Sequence, residues 1–266
     1  MDAASAYDAY ARQYDSLLDE NRINAYMRQE LDAILASSFG PGSRLLELGC
    51  GTGDEAIAMA GQGCEVVASD PSPEMIEIAT RKVRERGLEG HVRFFAARAR
   101  DLDGLSGGPL EGAPFDGAYA SFSLSYEPDL TPVSRALASL LRPAGQCVIA
   151  AMNRLCAVEW AAALVGARPA LAGRRLRRGT AHKVGAFVTL VYPRTATEMA
   201  RAFRPAFRLE RVRALPVVLP PHYANRALSQ WPSLVELFEH ADPHLGRLPL
   251  LRLLGDHTVL RFRRMG

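Results

Sequence analysis

At 266 residues the chain has room for one large domain, or for one domain with a smaller attachment. Hydrophobic residues make up 48% and charged ones 23%, ordinary values for a globular protein with a sizeable core. The net charge of +3 is too small to imply a nucleic-acid partner.

The base is nearly all arginine, since only Lys82 and Lys183 are lysines. Cys50, Cys64, Cys147 and Cys156 have neither CxxC nor metal-ligand spacing, so they read as reduced core thiols of a cytoplasmic protein, with no metal site. The N-terminus "MDAASAYDAYARQYD" is acidic and aromatic and lacks the apolar run of a signal peptide. The most apolar helical stretch, near Leu155 to Ala167, is short and carries Glu159, so no transmembrane segment is expected.

In chain order, residues 1–38 read as helix, with Ile23, Met27, Leu31, Ile34 and Leu35 at helical spacing. "FGPGS" stops it. Strands and helices then alternate: strand 44–49, helix 54–63, strand 64–70, helix 72–87 capped by Ser72 with Pro73 in its first turn, strand 91–97, strand 115–122, helix with its stop 131–145, strand 146–152. Such alternation predicts right-handed crossovers and a parallel sheet with helices on both faces. Beyond Met152 come a helix through "AVEWAAALVG", the basic stretch "RPALAGRRLRRGTAHKVG", the strand "AFVTLVYP", a helix "TATEMARAF", a sixth sheet strand 207–215, a proline-rich helical insertion, and a last strand 257–264. Residues 153–192 and 216–256 are more chain than a compact sheet domain needs, and are read as a cap over the ligand cleft.

The first strand ends in "LLELGCGTGDEA". Gly49, Gly51 and Gly53 let the backbone turn with positive φ and admit a ligand without a Cβ in its way. Ligands of open parallel sheets sit outside the carboxyl ends of the strands. Two ligands compete. A dinucleotide site asks for G-x-G-x-x-G, whereas this chain has G-x-G-x-G with Glu47 before it and Asp54 after it. Those acids repel a pyrophosphate and suit a cationic ligand. Asp70, ending the second strand, suits an adenosine ribose in either case.

"LLELGCGTGDEA", "VVASDPSPEMIEIA", "FDGAYASFSL" and "LLRPAGQCVIAAM" resemble, in order and spacing, the motifs of class I S-adenosylmethionine-dependent methyltransferases, over roughly residues 40 to 152. "YDAYARQYD" is similar to the N-terminal segment of the small-molecule members. The resemblance implies a doubly wound, mostly parallel seven-stranded α/β sheet with the last strand antiparallel, divided into a helical lid (1–38), a cofactor-binding core (39–152), a basic cap (153–192) and a completion of the sheet (193–266). It implies S-adenosyl-L-methionine as cofactor. Glu47, Gly49, Gly51 and Gly53, with Cys50 among them, would line its methionine half; Asp70 would hold the ribose, and Pro71 and Met75 would pack on the adenine. Ser121 and Phe122 would face the sulfonium, and Tyr14, with Tyr7, would close the lid. Arg98 stands where the family often has an acid for the adenine amine, with Ala99 after it; an arginine cannot accept that hydrogen bond, leaving a backbone carbonyl or Asp101.

A sulfonium methyl needs an aligned nucleophile and at most one proton removed. The fourth-strand exit "ASFSLSYE" lacks the Asn/Asp-Pro-Pro-aromatic turn of base methyltransferases, so nucleic acid is not the expected acceptor. The cap has no acid between Glu159 and Glu198 but many bases: Arg168, Arg174, Arg175, Arg177, Arg178, Lys183 and Arg194. That is either a solvated loop or a site for an anionic acceptor with an apolar body. Proton acceptors ranked from position are His222 and Tyr223 in "LPPHY", then His182 in the cap and His257 beside Asp256. The expected function is methyl transfer to an oxygen or nitrogen of a small molecule, with a lipid or quinone-like acceptor, a non-catalytic cofactor-binding protein and a dehydrogenase as alternatives.

Overall fold

The computed structural model describes residues 1–103, 105, 108–166, 173–221 and 230–266. The chain opens with α1 (Ala3–Asp19) and α2 (Arg22–Ala36). Each begins on a side-chain cap: Asp2 accepts from the Ser5 amide at 2.8 Å, and Asn21 from the amides of Ile23 and Asn24. Next come β1 (Arg44–Leu48), α3 (Asp54–Gly61), β2 (Glu65–Asp70), α4 (Pro73–Glu85), β3 (Val92–Ala96), β4 (Phe115–Ser121), α5 (Thr131–Leu140) and β5 (Leu141–Met152). Ser72 caps α4 by accepting from the Met75 amide at 3.1 Å, and Pro73 fills its first position. The second half adds α6 (Ala157–Val165), the hairpin β6 (Thr180–Val184) and β7 (Phe187–Val191), α7 (Ala196–Phe203), β8 (Phe207–Leu215), α8 (Pro232–Leu245) and β9 (His257–Arg264). Thr195 and Glu198 form a reciprocal capping box at the start of α7.

Seven strands make one sheet in the order β3-β2-β1-β4-β5-β9-β8. The pairs from β3 to β5 are parallel, and β9 inserts antiparallel between β5 and β8. The α/β fold is therefore doubly wound, as the alternation predicts. Side-chain alternation along each strand feeds two cores. Leu46, Leu48, Ala118 and Ile149 pack with Leu137 of α5 and Phe203 of α7. Leu45, Val66, Tyr119 and Val148 pack with Leu35 of α2 and Met59 of α3. All four cysteines are buried and free.

Two elements differ from expectation. The helix with its stop read over 131–145 ends at Leu140, and β5 begins at Leu141 where a strand is expected only from Gln146. Pro143 cannot continue a helix and disfavours helical backbone at Arg142 before it, and the chain turns through Ala144 at a left-handed φ of +61° before β5 resumes its regular pairing at Gln146. "TAHKV" is a strand, β6, where only a basic loop is expected. Its partner β7 supplies the hydrogen bonds that its short, half-polar sequence does not advertise.

Candidate active site

The carboxyl ends of β1, β2, β4 and β5 open on a cavity of ≈ 750 Å³, roofed by α1 and the β6–β7 hairpin. Its floor is the turn after β1. Gly49, Gly51 and Gly53 have φ of +72°, +52° and +82°, backbone that L side chains rarely adopt. A Cβ on Gly49 would lie 2.3 Å from Ser123 Cβ, so this turn can only close on hydrogen. Gly49, Cys50 and Gly51 line the cavity, and the Tyr14 ring of α1 lies over Gly51. Gly53 is not part of the wall; it lets α4 and β3 approach, since a Cβ there would meet Ala79 and Phe94 at 2.9 Å.

Asp70, 8% exposed, accepts from the Gly51 amide at 2.9 Å on one carboxylate oxygen and from the Ser72 amide at 2.9 Å on the other. Burial raises its pKa, and those two amides pull the other way. Each oxygen keeps further acceptor capacity toward the cavity. Pro71 and the buried Met75 stand beside it in the wall. Arg98 and Ala99 are in the wall too, and Arg98 Nη2 donates to Asp2 Oδ2 at 2.8 Å. Asp101, one of the two acceptors considered for the adenine amine, is not in the wall; it lies beside Arg100 on the exposed side.

Glu47 sits beneath the floor rather than in it. It alternates with Leu46 and Leu48 and so points to the α3 side of the sheet, where the Tyr119 hydroxyl donates to Oε2 at 3.1 Å. Burial, with Glu55 adding, lifts its carboxyl well above the usual range, and Oε1 has no partner among the described residues. Near the glycine turn the glutamate in the wall is Glu55, held by Arg28 through two hydrogen bonds of 3.1 and 2.9 Å; Glu127 lines the wall elsewhere. Sequence alone does not join that pair, because nothing in it links α2 to the first turn of α3.

On the far side, Ser121 and Phe122 line the wall. Ser121 Oγ is buried without a partner among the described residues, and Phe122 takes a left-handed φ of +66°. Tyr7, Tyr126 and His182 follow along the roof; the Tyr7 and Tyr126 hydroxyls share a short hydrogen bond, and the Tyr126 and His182 rings meet at 6.0 Å. Burial raises both phenols, so they stay protonated and serve as hydrogen-bonding groups, not bases.

His257 reaches the same wall from the start of β9, its ring 5.0 Å from Phe122 and its Nδ1 2.9 Å from Asp256 Oδ2. His222 and Tyr223 lie outside the described residues, as does Arg168. Among the described residues the cap arginines do not line the cavity as an anion site. Arg175 is buried on Glu159 and Asp256, Arg174 pairs with Glu159, and Arg194 donates to the carbonyls of Tyr192, Glu127 and Pro128. Arg177 and Arg178 are exposed and away from the wall, and of the cap's described arginines and lysine only Lys183 is in the wall. The reason is chemical: buried Glu159, buried Asp256 and strand-end carbonyls each need donors, and guanidinium supplies them.

The residues present fit a sulfonium nucleoside: a glycine floor, a buried carboxylate with spare acceptor capacity, an apolar slot at Pro71 and Met75, and an unpartnered Ser121 Oγ. Residues 45–145 match the family model described as methyltransferase domain. The chain is 33% identical over 171 residues to the ubiquinone biosynthesis O-methyltransferase of Xanthomonas campestris pv. campestris, an alignment spanning 64% of this chain and 67% of that relative. The protein is a class I S-adenosylmethionine-dependent methyltransferase. Among solved structures, its fold is similar to a putative S-adenosylmethionine-dependent methyltransferase from Listeria monocytogenes (TM-score 0.61, 16% identity, 91% of this chain and 98% of that one). It is also similar to a geranyl diphosphate C-methyltransferase from Streptomyces coelicolor A3(2) (TM-score 0.57, 16% identity, 90% and 79%). The methyltransferase uses S-adenosylmethionine to methylate a small molecule. Among its described residues no helix is long and apolar enough to cross a membrane.

Proposed function

We propose that this methyltransferase modifies a hydroxyl oxygen, most simply a phenolic one, on a small molecule with an apolar body. The observation that carries this reading is the placement of His257, backed by Asp256, in the wall beside Ser121 and Phe122. A phenol needs one proton removed as it attacks, and an imidazole is the side chain suited to take it near neutral pH. The relative named for ubiquinone biosynthesis and O-methylation supports an aromatic, quinone-like acceptor. Lys183, exposed in the wall and without an ion-pair partner among the described residues, suits an acidic end on that acceptor.

In this reading Gly49, Cys50 and Gly51 hold the methionine half of the cofactor, with Glu47 supporting the floor from below. Asp70 receives the ribose hydroxyls; Pro71 and Met75 flank the adenine, with Arg98 and Ala99 at its edge. Tyr14 and Tyr7 close the lid of residues 1–38 over a core of 39–152, with 153–192 as the cap and 193–266 completing the sheet. The cofactor supplies a methyl group made electrophilic by its sulfonium. The protein orients the hydroxyl, receives its proton and excludes water. The setting is cytoplasmic, and nucleic acid is not the substrate.

Transfer of label from methyl-labelled S-adenosylmethionine to 3,4-dihydroxybenzoate and to its aniline analogue tests the reading. Label on oxygen is expected. Label only on the amine overturns it.

A further inference from the structure

We infer that His257 is the general base of the acceptor site, and that Arg175, reaching in from the cap, positions it through Asp256. The inference rests on the reading that a hydroxyl is methylated.

The geometry begins at His257. Its Nδ1 faces Asp256, which leaves Nε2 for the cavity; no hydrogen bond engages Nε2 among the described residues. The contact of 2.9 Å to Asp256 is not aligned as a hydrogen bond, a looseness common in catalytic pairs before substrate binds. Asp256 is 2% exposed and shared: Oδ2 serves His257, while Oδ1 accepts from Arg175 Nη2. Arg175, 3% exposed, donates Nε to Glu159 Oε2 at 2.6 Å and Nη1 to the Asn153 and Asp256 carbonyls at 3.1 and 2.8 Å. Arg174 closes the row on Glu159 Oε1 at 2.5 Å. The charges alternate from solvent inward: Arg174, Glu159, Arg175, Asp256, and then the imidazole.

Among the described residues, the other recorded neighbours of His257 are apolar or aromatic. Met152 of β5 and Leu215 of β8 pair with it across the sheet, and Phe122 meets its ring edge-on. Cys156 Sγ is 3.9 Å from Asp256 Oδ1 and stays a thiol, because burial pushes it up to about 12. Burial alone would raise the Asp256 carboxyl; Arg175 and His257 hold it well below the usual range instead. It is therefore an anion at working pH, and it favours the imidazolium that forms when Nε2 takes the proton. As the hydroxyl O–H bond breaks toward Nε2, the oxygen bonds the methyl carbon while the C–S bond breaks with its pair on sulfur, leaving S-adenosylhomocysteine. The imidazolium then returns its proton to water.

Arg175 pins the carbonyls on either side of this site, at the end of β5 and the entry to β9, so a cap residue fixes where the base stands. Arginine does this and lysine does it less well, since four bonds in three directions need the planar fork.

The test pairs two probes of different acidity, 3,4-dihydroxybenzoate and 4-nitrocatechol, the latter largely ionised at neutral pH. His257→Gln is expected to slow methylation of the first by about 100-fold or more and of the second by less than about tenfold. Affinity for S-adenosylhomocysteine by calorimetry should change by less than about threefold. Asp256→Asn should move the acid limb of kcat/KM to lower pH, and Arg175→Met should lower kcat on the first probe while sparing the second, with part of the loss regained in Arg175→Lys. Equal losses on both probes with cofactor affinity kept overturn the base assignment. No regain in Arg175→Lys, with both probes slowed alike, overturns the positioning role.

A second measurement needs no turnover. In the complex with S-adenosylhomocysteine, the Nδ1 proton of His257 is assigned by its loss in His257→Gln and followed by 1H NMR at one fixed pH. Its signal should lie downfield in the parent, where Nδ1 faces Asp256 Oδ2, and move upfield in Asp256→Asn. An unmoved signal overturns the pair itself. A moved signal with neither probe methylated sustains the pair and overturns the phenolic reading of the acceptor.

Discussion

Asp70 is held before any ribose arrives. Its two carboxylate oxygens accept from Gly51 and Ser72, which locks the end of β2 to the glycine turn. Replacing it with alanine removes an acceptor for the ligand and orphans two amides. Asp70→Ala is expected to weaken S-adenosylmethionine binding by about 1–3 kcal/mol in calorimetry, with the fold retained by circular dichroism. Unchanged affinity would move the ribose elsewhere. Gly49 is constrained twice, by φ of +72° and by Ser123 at 2.3 Å from an added Cβ. Left-handed backbone costs an L residue about 1–2 kcal/mol before any clash, so Gly49→Ala should lose about 2–4 kcal/mol of stability in urea melts. Ser123→Gly in the same chain relieves the clash but not the torsion, and should return only part of that loss.

At the scale of elements, α1 is fastened over the cavity by carboxylates on one of its faces. Asp8 accepts from Ser72 Oγ at 2.7 Å and from the Glu74 amide at 3.2 Å, at the start of α4. Asp15 accepts from Thr52 Oγ1 at 2.6 Å and from Lys82 at 3.1 Å. Over Gly185 the Tyr10 ring leaves no room for a Cβ, so the hairpin turn is fitted to the lid as well. Asp8→Ala loosens the lid without touching the cavity floor. Stopped-flow release of S-adenosylhomocysteine should accelerate severalfold, while thermal stability falls by about 1 kcal/mol, the net worth of the lost hydrogen bonds. A melting shift with unchanged release would make α1 a structural helix and not a lid. Before Met152 the elements are legible in the chain, because each strand there is an apolar run bounded by glycine, proline or a capping residue. After it they are less so. β6 is legible only with β7 in hand, and Arg175 looks like one base in a basic stretch until Glu159 and Asp256 are brought to it from 16 and 81 residues away. The adjacency of Asp256 and His257 is visible in sequence, but its place opposite the glycine turn follows from β9 entering between β5 and β8. Glu47 illustrates the opposite limit: motif and spacing mark it, yet the two-residue period of β1 decides that it faces α3.

For the whole molecule, the lid helices and the floor share one electrostatic knot, and it makes stability depend on pH. Arg28 of α2 pairs with Glu55 and lies 3.4 Å from Asp54. Asp32, one turn further along α2, joins a region already rich in carboxylates, and its Oδ1 is buried without a partner among the described residues. Burial, with Glu55 and Asp54 adding and Arg28 opposing, pushes its carboxyl up to about 7. In the unfolded chain the same group titrates near about 4. Between those values the folded protein holds a proton on Asp32 that the unfolded chain has released, so this group's contribution to stability is greatest below about pH 4, falls as pH rises toward about 7, and is level beyond it. Asp32→Asn removes the titration while keeping the shape. Solvent reaches this site in part and screens it, which reduces the full shift to an expected gain of about 1–2 kcal/mol over the parent at pH 8 and little difference at pH 4.5. Urea melts at the two pH values measure this. A gain of equal size at both would trace the effect to packing, and would leave Asp32 ionised throughout.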